Sequence, residues 1–389
     1  MGDMDTLRDW LAITLTSLLL VWAWSGPANA VELSANSAFL YDANRDALVY
    51  AKNAREPIAP ANLTKIMTAL VVIDAIRNEE IAAQTELPIS VDAWQRGGAP
   101  ARVTTMFARV RSNVSVENLL KGLVVHNAND AAIALAEGIA GDEPSFAQRM
   151  TQKAQELGMT ETRYANATGY PDSGNQTTLA DQLRLILHII REEPELHGLY
   201  GVERFTWNNI TQRNKNPLMR EIEALDGFTA GFSETEGFAA LGTLEMGGIR
   251  YVAGIAGAPT EKDRINDMKT LLVSTFSGLS IRPVFTKGET VADAKVYGGS
   301  QPSVPLVTPG ALHALIDLSH KEDYSFEVVY DGPLSAPVQK GKAVGELRLL
   351  SKDTVIFTSP LVTGMQVPKG TLQQRSMDAI AELFWSVFR

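Results

Sequence analysis

The sequence predicts an α+β chain with two folded units, a leader before them and an amphipathic segment after them. The hydrophobic period changes along the chain, from a strand pair at 37–52, through a series of helical stretches, to a strand hairpin at 238–256 and one more helix. At Arg282-Pro283 the texture changes to short β-type runs punctuated by prolines at 302, 305, 309, 333, 337 and 360, as in a small β-sandwich-like domain. A length of 389 residues is also more than one small core accommodates. The expected divisions are a leader at 1–30, an α+β unit at 31–280, a β-rich unit at 281–370 and a terminal helix at 371–389.

The leader has an apolar run from Trp10 to Trp24, followed by Gly26, Pro27 and the small-x-small triplet Ala28-Asn29-Ala30. This is the pattern of an export signal cleaved before Val31. Arg8 is outnumbered by Asp3, Asp5 and Asp9, so retention as an uncleaved N-terminal anchor is the alternative. Either way the remainder is exported. A net charge of -10 argues against a nucleic-acid partner. The absence of cysteine excludes disulfides, thiol catalysis and cysteine-ligated metal.

Phe39 and Tyr41, then Leu48 and Tyr50, alternate around Asp42-Ala43-Asn44-Arg45 and give the first hairpin. Pro57 and Pro60 stop regular structure before Asn62, which is placed to cap an apolar helix running on from Lys65. A lysine at the start of such a helix is costly to bury unless something uses it, and its pKa falls readily on burial. Residues 79–113 are mixed, with a loop expected at Arg96-Gly97-Gly98-Ala99-Pro100. Ser115 caps a helix that runs to Val125, and the polar cluster from His126 to Asp130 separates it from a second at 131–140. Amphipathic helices follow at 145–157 and 178–190, with the turn-rich Gly169–Gly174 between them. The strands Phe238–Glu245 and Ile249–Ala256 flank Gly247-Gly248. Asp263 is the expected cap of a helix with Ile265, Met268, Leu272 and Phe276 on one face. In the terminal segment Leu372, Met377, Ile380, Leu383, Phe384, Val387 and Phe388 share a face. That pattern suits a membrane interface, with docking on the protein itself as the alternative.

Three stretches stand out in order: Pro-Ala-Asn62-Leu-Thr-Lys65-Ile-Met-Thr, Val-His-Asn127-Ala-Asn129-Asp-Ala-Ala, and Leu-Asp-Gly-Phe-Thr229-Ala-Gly231-Phe-Ser. With Glu156-Leu157-Gly158-Met159, Asn166-Ala167-Thr168-Gly169 and the run from Ile210 to Asn216, they resemble the serine D-alanyl-D-alanine carboxypeptidases, the low-molecular-weight penicillin-binding proteins. The resemblance spans roughly residues 35–260. It implies a penicillin-binding-protein/β-lactamase-like transpeptidase domain, then the small β-sandwich-like domain and a C-terminal amphipathic helix that anchors the protein to the membrane. It also implies an envelope location, with a peptidoglycan stem peptide or a cell-wall protein as partner, and no cofactor.

The same resemblance implies three catalytic motifs: S-x-x-K for nucleophile and base, S-x-N for proton relay and substrate amide, and K-T-G for the substrate carboxylate. Each is altered at its most reactive member. Asn62 stands at the nucleophile position, Asn127 at the relay serine and Thr229 at the strand-edge lysine, with Ala230 beside it; Lys65, Asn129 and Gly231 are retained. Lys215 stands where the family carries a carboxylate-contacting arginine. Thr64 points away from the Asn62/Lys65 face, Ser233 has no base beside it in sequence, and the histidines (126, 188, 197, 313 and 320) show no metal spacing. The expectation is a carboxypeptidase-family protein without hydrolytic activity that binds a cell-wall peptide or partner. The alternatives are a weakly active enzyme and a scaffold with an unused cleft.

Overall fold

The structure, a computed structural model, describes residues 33–273, 280–316, 324–351 and 354–372. The expected leader, Phe276 and the terminal helix beyond Leu372 lie outside the described residues.

In chain order, β1 (Ser37–Asp42) and β2 (Ala47–Lys52) form the expected hairpin, and a 3-10 turn at Ala61–Leu63 leads into α1 (Thr64–Arg77). The short antiparallel pair β3 (Glu86–Pro88) and β4 (Asn113–Ser115) brackets α2 (Val91–Gly97). Then come α3 (Val116–His126), α4 (Asn129–Ala140), α5 (Glu143–Glu156), α6 (Leu179–Glu192) and α7 (Pro194–Tyr200). A small hairpin, β5 (Arg204–Trp207) and β6 (Ile210–Arg213), precedes β7 (Leu225–Gly227), β8 (Ala230–Ser233), β9 (Gly237–Met246) and β10 (Ile249–Ala258). The first unit closes with α8 (Glu261–Val273). The second, among its described residues, is built of strands: β11 (Ser280–Phe285), β12 (Thr290–Tyr297), β13 (Ser303–Val307), β14 (Ala311–Ile316), β15 (Tyr324–Tyr330), β16 (Leu334–Ser335), β17 (Ala343–Ser351) and β18 (Thr354–Thr363).

The first unit is built on an antiparallel sheet in the order β2-β1-β10-β9, with β7 and β8 following each other along the outer edge of β9. Both faces of its central strands are covered. Phe39, Leu241 and Val252 pack with the helices, while Leu40, Ala253 and Ile255 pack with Met268 and Leu272 of α8. The β unit joins the same sheet through β2, to which β14 and β18 each add a short parallel pairing.

The helix α1 runs through the core and is apolar nearly all round, as a fully enclosed helix must be. Leu63, Ile66, Met67, Leu70 and Val72 are fully buried, and each contributes roughly 1.5–3 kcal/mol. That burial offsets the cost of the one charge the helix carries inward, Lys65.

The structure corrects several local expectations. Asn62 is not the cap of α1. It sits inside the 3-10 turn, and Leu63 occupies the cap position without a side-chain bond. The physical reason is Ala61, whose left-handed φ of 45° turns the chain into the helix one residue too early for Asn62 to cap it. The loop expected at 96–100 is shorter, because Ser90 caps α2, which extends to Gly97. The polar break in the 126–130 cluster narrows to Asn127 and Ala128, since α4 starts at Asn129. Asp263 is not the cap of α8; its N–H instead donates to Thr260 Oγ1 at 3.1 Å.

Gly254 lies opposite Phe39 in the β1–β10 pairing, and a Cβ there would fall 2.3 Å from the ring and 2.7 Å from Leu241. Gly254→Ala is expected to destabilise by about 1–3 kcal/mol through overpacking. Gly198→Ala, in a helix with nothing within 4 Å of the new atom, is expected to leave the urea midpoint unchanged or slightly raised.

Candidate functional site

Three segments meet at the start of α1. The 3-10 turn brings Asn62 and Lys65 onto one side, the α3–α4 junction brings Asn127 and Asn129, and β8 passes with Gly231 against the turn. A Cβ on Gly231 would sit 3.4 Å from Asn62 N, which measures how closely this strand edge approaches. The edge is held from behind by Arg264, which donates to the Gly231 carbonyl at 3.3 Å and lies 5.1 Å over the Phe238 ring. Glu236, on the turn after β8, accepts the Ala59 N–H at 2.9 Å and ties the same edge to the segment before Asn62.

Lys65 is 2% exposed. Its ammonium donates to Asn62 Oδ1 at 2.9 Å and to the Thr168 carbonyl at 2.7 Å. Burial pushes the amine down to about 7, with the charge of Glu143 acting in the opposite direction. The Thr168 carbonyl is aimed by an Asx-type loop: Asn166 Oδ1 accepts from Thr168 Oγ1, Gly169 N and Tyr170 N at 3.1, 2.7 and 3.1 Å. Gly169 has φ +79°, and a Cβ there would come within 1.7 Å of the Ala61 carbonyl, so only glycine fits. Glu143 supports the same loop from the first turn of α5. It accepts from Ala167 N at 3.0 Å with one oxygen and from Arg96 at 2.6 Å with the other.

On the facing side, Asn127 adopts the left-handed conformation (φ 55°) that ends α3, which asparagine tolerates better than most residues. Its Nδ2 donates to Thr229 Oγ1 at 3.1 Å, and that hydroxyl donates back to Asn127 Oδ1 at 3.4 Å. The two form a closed neutral pair, both buried. Asn129 donates its backbone and side-chain N–H groups to the Thr104 carbonyl at 2.8 and 3.0 Å. Its buried Oδ1 has no hydrogen-bond partner among the described residues. Asp130, fully buried, takes bonds from Thr105 Oγ1 and from Met106, Ala108 and Ala131 N, and so fixes the 104–108 segment beside Asn129.

The structure thus brings Asn62, Lys65 and Gly231 together and pairs Asn127 with Thr229, with Asn129 on the adjoining helix turn. Lys215 lies beside the end of α3: it is exposed, its N–H bonds Val125 O at 3.0 Å, and its charge acts on His126. His126 contacts the Arg213 carbonyl through Nδ1 at 3.0 Å. Neither alternative hydroxyl has a base among the described residues. Thr64 Oγ1 is buried and unpartnered among the described residues, and Ser233 Oγ meets Thr235 Oγ1 at 2.9 Å on the surface. A cavity of about 810 Å³, lined by Tyr41, Arg55, Leu187, Tyr330 and Glu346 among others, contains none of these site residues. Sequence reasoning missed Glu143, Arg264 and the Thr168 carbonyl. The Asn166–Gly169 stretch was a signal for the last; nothing in the pattern around Glu143 or Arg264 pointed to a partner so far along the chain.

The folded Lys65 amine titrates near 7 against 10.5 for the free side chain, so between those values the unfolded chain binds more protons. This one group therefore makes stability rise as pH goes from about 7 to about 10.5. Lys65→Met is expected to remove that rise. Urea unfolding of both proteins across the range checks it, and a difference that stays flat contradicts the assignment.

The sequence model of the D-alanyl-D-alanine carboxypeptidase family matches residues 25–260, and that of the penicillin-binding protein 5 C-terminal domain matches residues 280–369. The chain is 29% identical over 351 residues to the D-alanyl-D-alanine carboxypeptidase DacF of Bacillus subtilis, covering 88% of this chain and 89% of that one. It is 30% identical over 322 residues to DacA of Haemophilus influenzae, covering 81% of each. Among solved structures, penicillin-binding protein 5 from Haemophilus influenzae superposes with a TM-score of 0.61 at 27% identity, over 89% of this chain and 100% of that one. Penicillin-binding protein 6B from Escherichia coli gives 0.60 at 27% identity, over 87% and 97%. With the fold, the order of the motifs and the match over most of its length in agreement, the chain belongs to the D-alanyl-D-alanine carboxypeptidase family of low-molecular-weight penicillin-binding proteins, which acts in cell-wall metabolism.

Proposed function

We propose that this chain binds the D-alanyl-D-alanine end of peptidoglycan stem peptides in the cell envelope and does not hydrolyse them. The observation that carries the reading is the group facing Lys65, which is an amide oxygen at 2.9 Å rather than a hydroxyl. An amide nitrogen has its lone pair delocalised into the carbonyl, and an amine base does not deprotonate it. Asn62 therefore supports no acyl-ester intermediate. Without a nucleophile, the remaining rate enhancement comes from binding and oxyanion stabilisation, about 10³–10⁴ over water in well-studied hydrolases. Thr229 in place of a strand-edge lysine also gives up a charge-assisted contact to substrate, typically ~1.5–3 kcal/mol. These losses act on one unit and are not summed.

A binding group remains: Asn62 is half-buried, and its Nδ2 suits a carbonyl or carboxylate oxygen. No helix among the described residues is long and apolar enough to cross a membrane. The 371–389 segment is the proposed contact with the membrane surface. A second reading, slow hydrolysis in which Lys65 acts as general base on a water, is favoured by an amine poised near 7.

Calorimetric titration with an acyl-D-Ala-D-Ala peptide, paired with an assay for released D-alanine, tests both readings. Saturable binding at millimolar peptide without release is expected. Release above background establishes the second reading, and no binding heat leaves a scaffold. The triple change Asn62→Ser, Asn127→Ser and Thr229→Lys is expected to acquire D-alanine release, because the backbone framework of the cleft is in place.

A further inference from the structure

The hairpin β5–β6 stands beside the end of α3 and is fixed there by its inner face. Phe205 and Gln212 oppose each other in the pairing and both are buried, with Gln212 Nε2 donating to the Thr105 carbonyl at 3.4 Å. The Arg213 carbonyl meets His126 Nδ1 at 3.0 Å, and Asn214 donates its N–H to the Glu203 carbonyl at 2.8 Å. Side chains alternate between the two faces of a strand, so the positions flanking the buried pair are displayed outward. They are Thr206 and Thr211, whose hydroxyls meet at 3.0 Å, and Arg204 and Arg213, which oppose each other and are exposed.

Two arginines directly opposite in an antiparallel pair repel, and the pairing is weaker for it. Neither has an acidic partner among the described residues, and Glu203, next to Arg204 in the chain, pairs with neither. Elsewhere Arg77, Arg96, Arg149, Arg191 and Arg250 each hold a carboxylate. Lys215, exposed two residues beyond Arg213, adds a third cation where the hairpin meets α3. In a chain of net charge -10 such a cluster is not a by-product of composition. A repulsion that the fold does not use is relieved by an anion. Guanidinium forks match carboxylates in geometry, and Cβ atoms of directly opposed residues lie roughly 4.5–5.5 Å apart. The two arginines can therefore close on one carboxylate or on two that are neighbours.

We propose that Arg204 and Arg213 form an exosite for the carboxylates of peptidoglycan stem peptides, outside the cleft. The inference rests on the reading that this chain binds cell-wall peptides. A single ion pair at an exposed position is weak. On a polymer, however, the exosite and the cleft engage one molecule, so the second attachment is intramolecular and the two reinforce each other. The hairpin is rigidly tied to the residue before Asn127, which keeps the two attachment points at a fixed separation.

Two measurements on the full chain test this. The first titrates N-acetyl-L-Ala-γ-D-Glu-L-Lys, which lacks the D-alanines, and follows the Nε–Hε resonances of the two arginines at pH 6. They are expected to shift saturably at millimolar peptide and to stay still when both carboxyls are carboxamides. Most of the response is expected to vanish in about 0.5 M salt. No shift with the acid peptide, or an equal shift with the amide, overturns the proposal whatever the cleft does. The second measurement is co-sedimentation with isolated wall polymer, before and after its carboxyl groups are amidated. Native binding is expected to fall about ten-fold on amidation, and the double change Arg204→Gln and Arg213→Gln to cost as much on untreated polymer. Equal sedimentation of native chain and double variant, or none of the native chain, overturns the proposal. The urea midpoint of the double variant is expected to be unchanged or raised, because a like-charge pair is removed. A lowered midpoint shows that the arginines serve the fold, and this also overturns it. An acyl-D-Ala-D-Ala peptide is expected to bind both proteins alike. Weaker binding by the double variant places the arginines in the cleft and overturns the exosite, whereas binding to neither protein counts against the cleft reading alone.

Discussion

The buried ammonium of Lys65 is the constraint around which this cleft is arranged. Removing a charge of that kind from water costs several kcal/mol even after relaxation. The chain meets the cost with two acceptors, a nearby carboxylate and a helix whose other inward residues are apolar. Each support brings its own segment. The Thr168 carbonyl requires the Asn166 turn and a glycine at 169, and Glu143 requires the start of α5 and the Arg96 end of α2. The backbone strain at Ala61 belongs to the same arrangement, because it turns the chain so that residue 62 faces the lysine.

Positions 127 and 229 are fixed by local geometry and by each other. Asn127 ends α3 in a left-handed conformation that asparagine favours, and Thr229 fills its place at the strand edge by bonding to Asn127. The two form a buried neutral pair that joins the end of α3 to the strand edge. The strand edge is held from behind by Arg264 on the Gly231 carbonyl and by Glu236 on Ala59 N.

Much of the architecture was legible in the sequence because it depends on local signals. Ser115 capped its helix as expected, the Gly247-Gly248 hairpin formed, and the proline-rich C-terminal texture became a β-sheet unit. The misreadings arose where distant contacts decide. Asn62 has the chemistry of a cap, but Lys65 takes its side-chain oxygen and Ala61 takes the turn. Alternation in the first hairpin understated burial, because both faces of β1 are covered. Within the candidate site, the sequence put Asn62 with Lys65 in one stretch and Gly231 in another, and the fold brings them together. The pairing of Asn127 with Thr229 and the role of Glu143 were not legible, since they join residues separated by 102 and by tens of positions.

The central claim is that residue 62 accepts no acyl group. Intact-mass spectrometry of the full chain after prolonged incubation with excess β-lactam measures this directly, because a ring-opened acyl-enzyme adds the full mass of the drug. An unshifted mass is expected for the native chain. A stable adduct mapped to any residue of the cleft would contradict it.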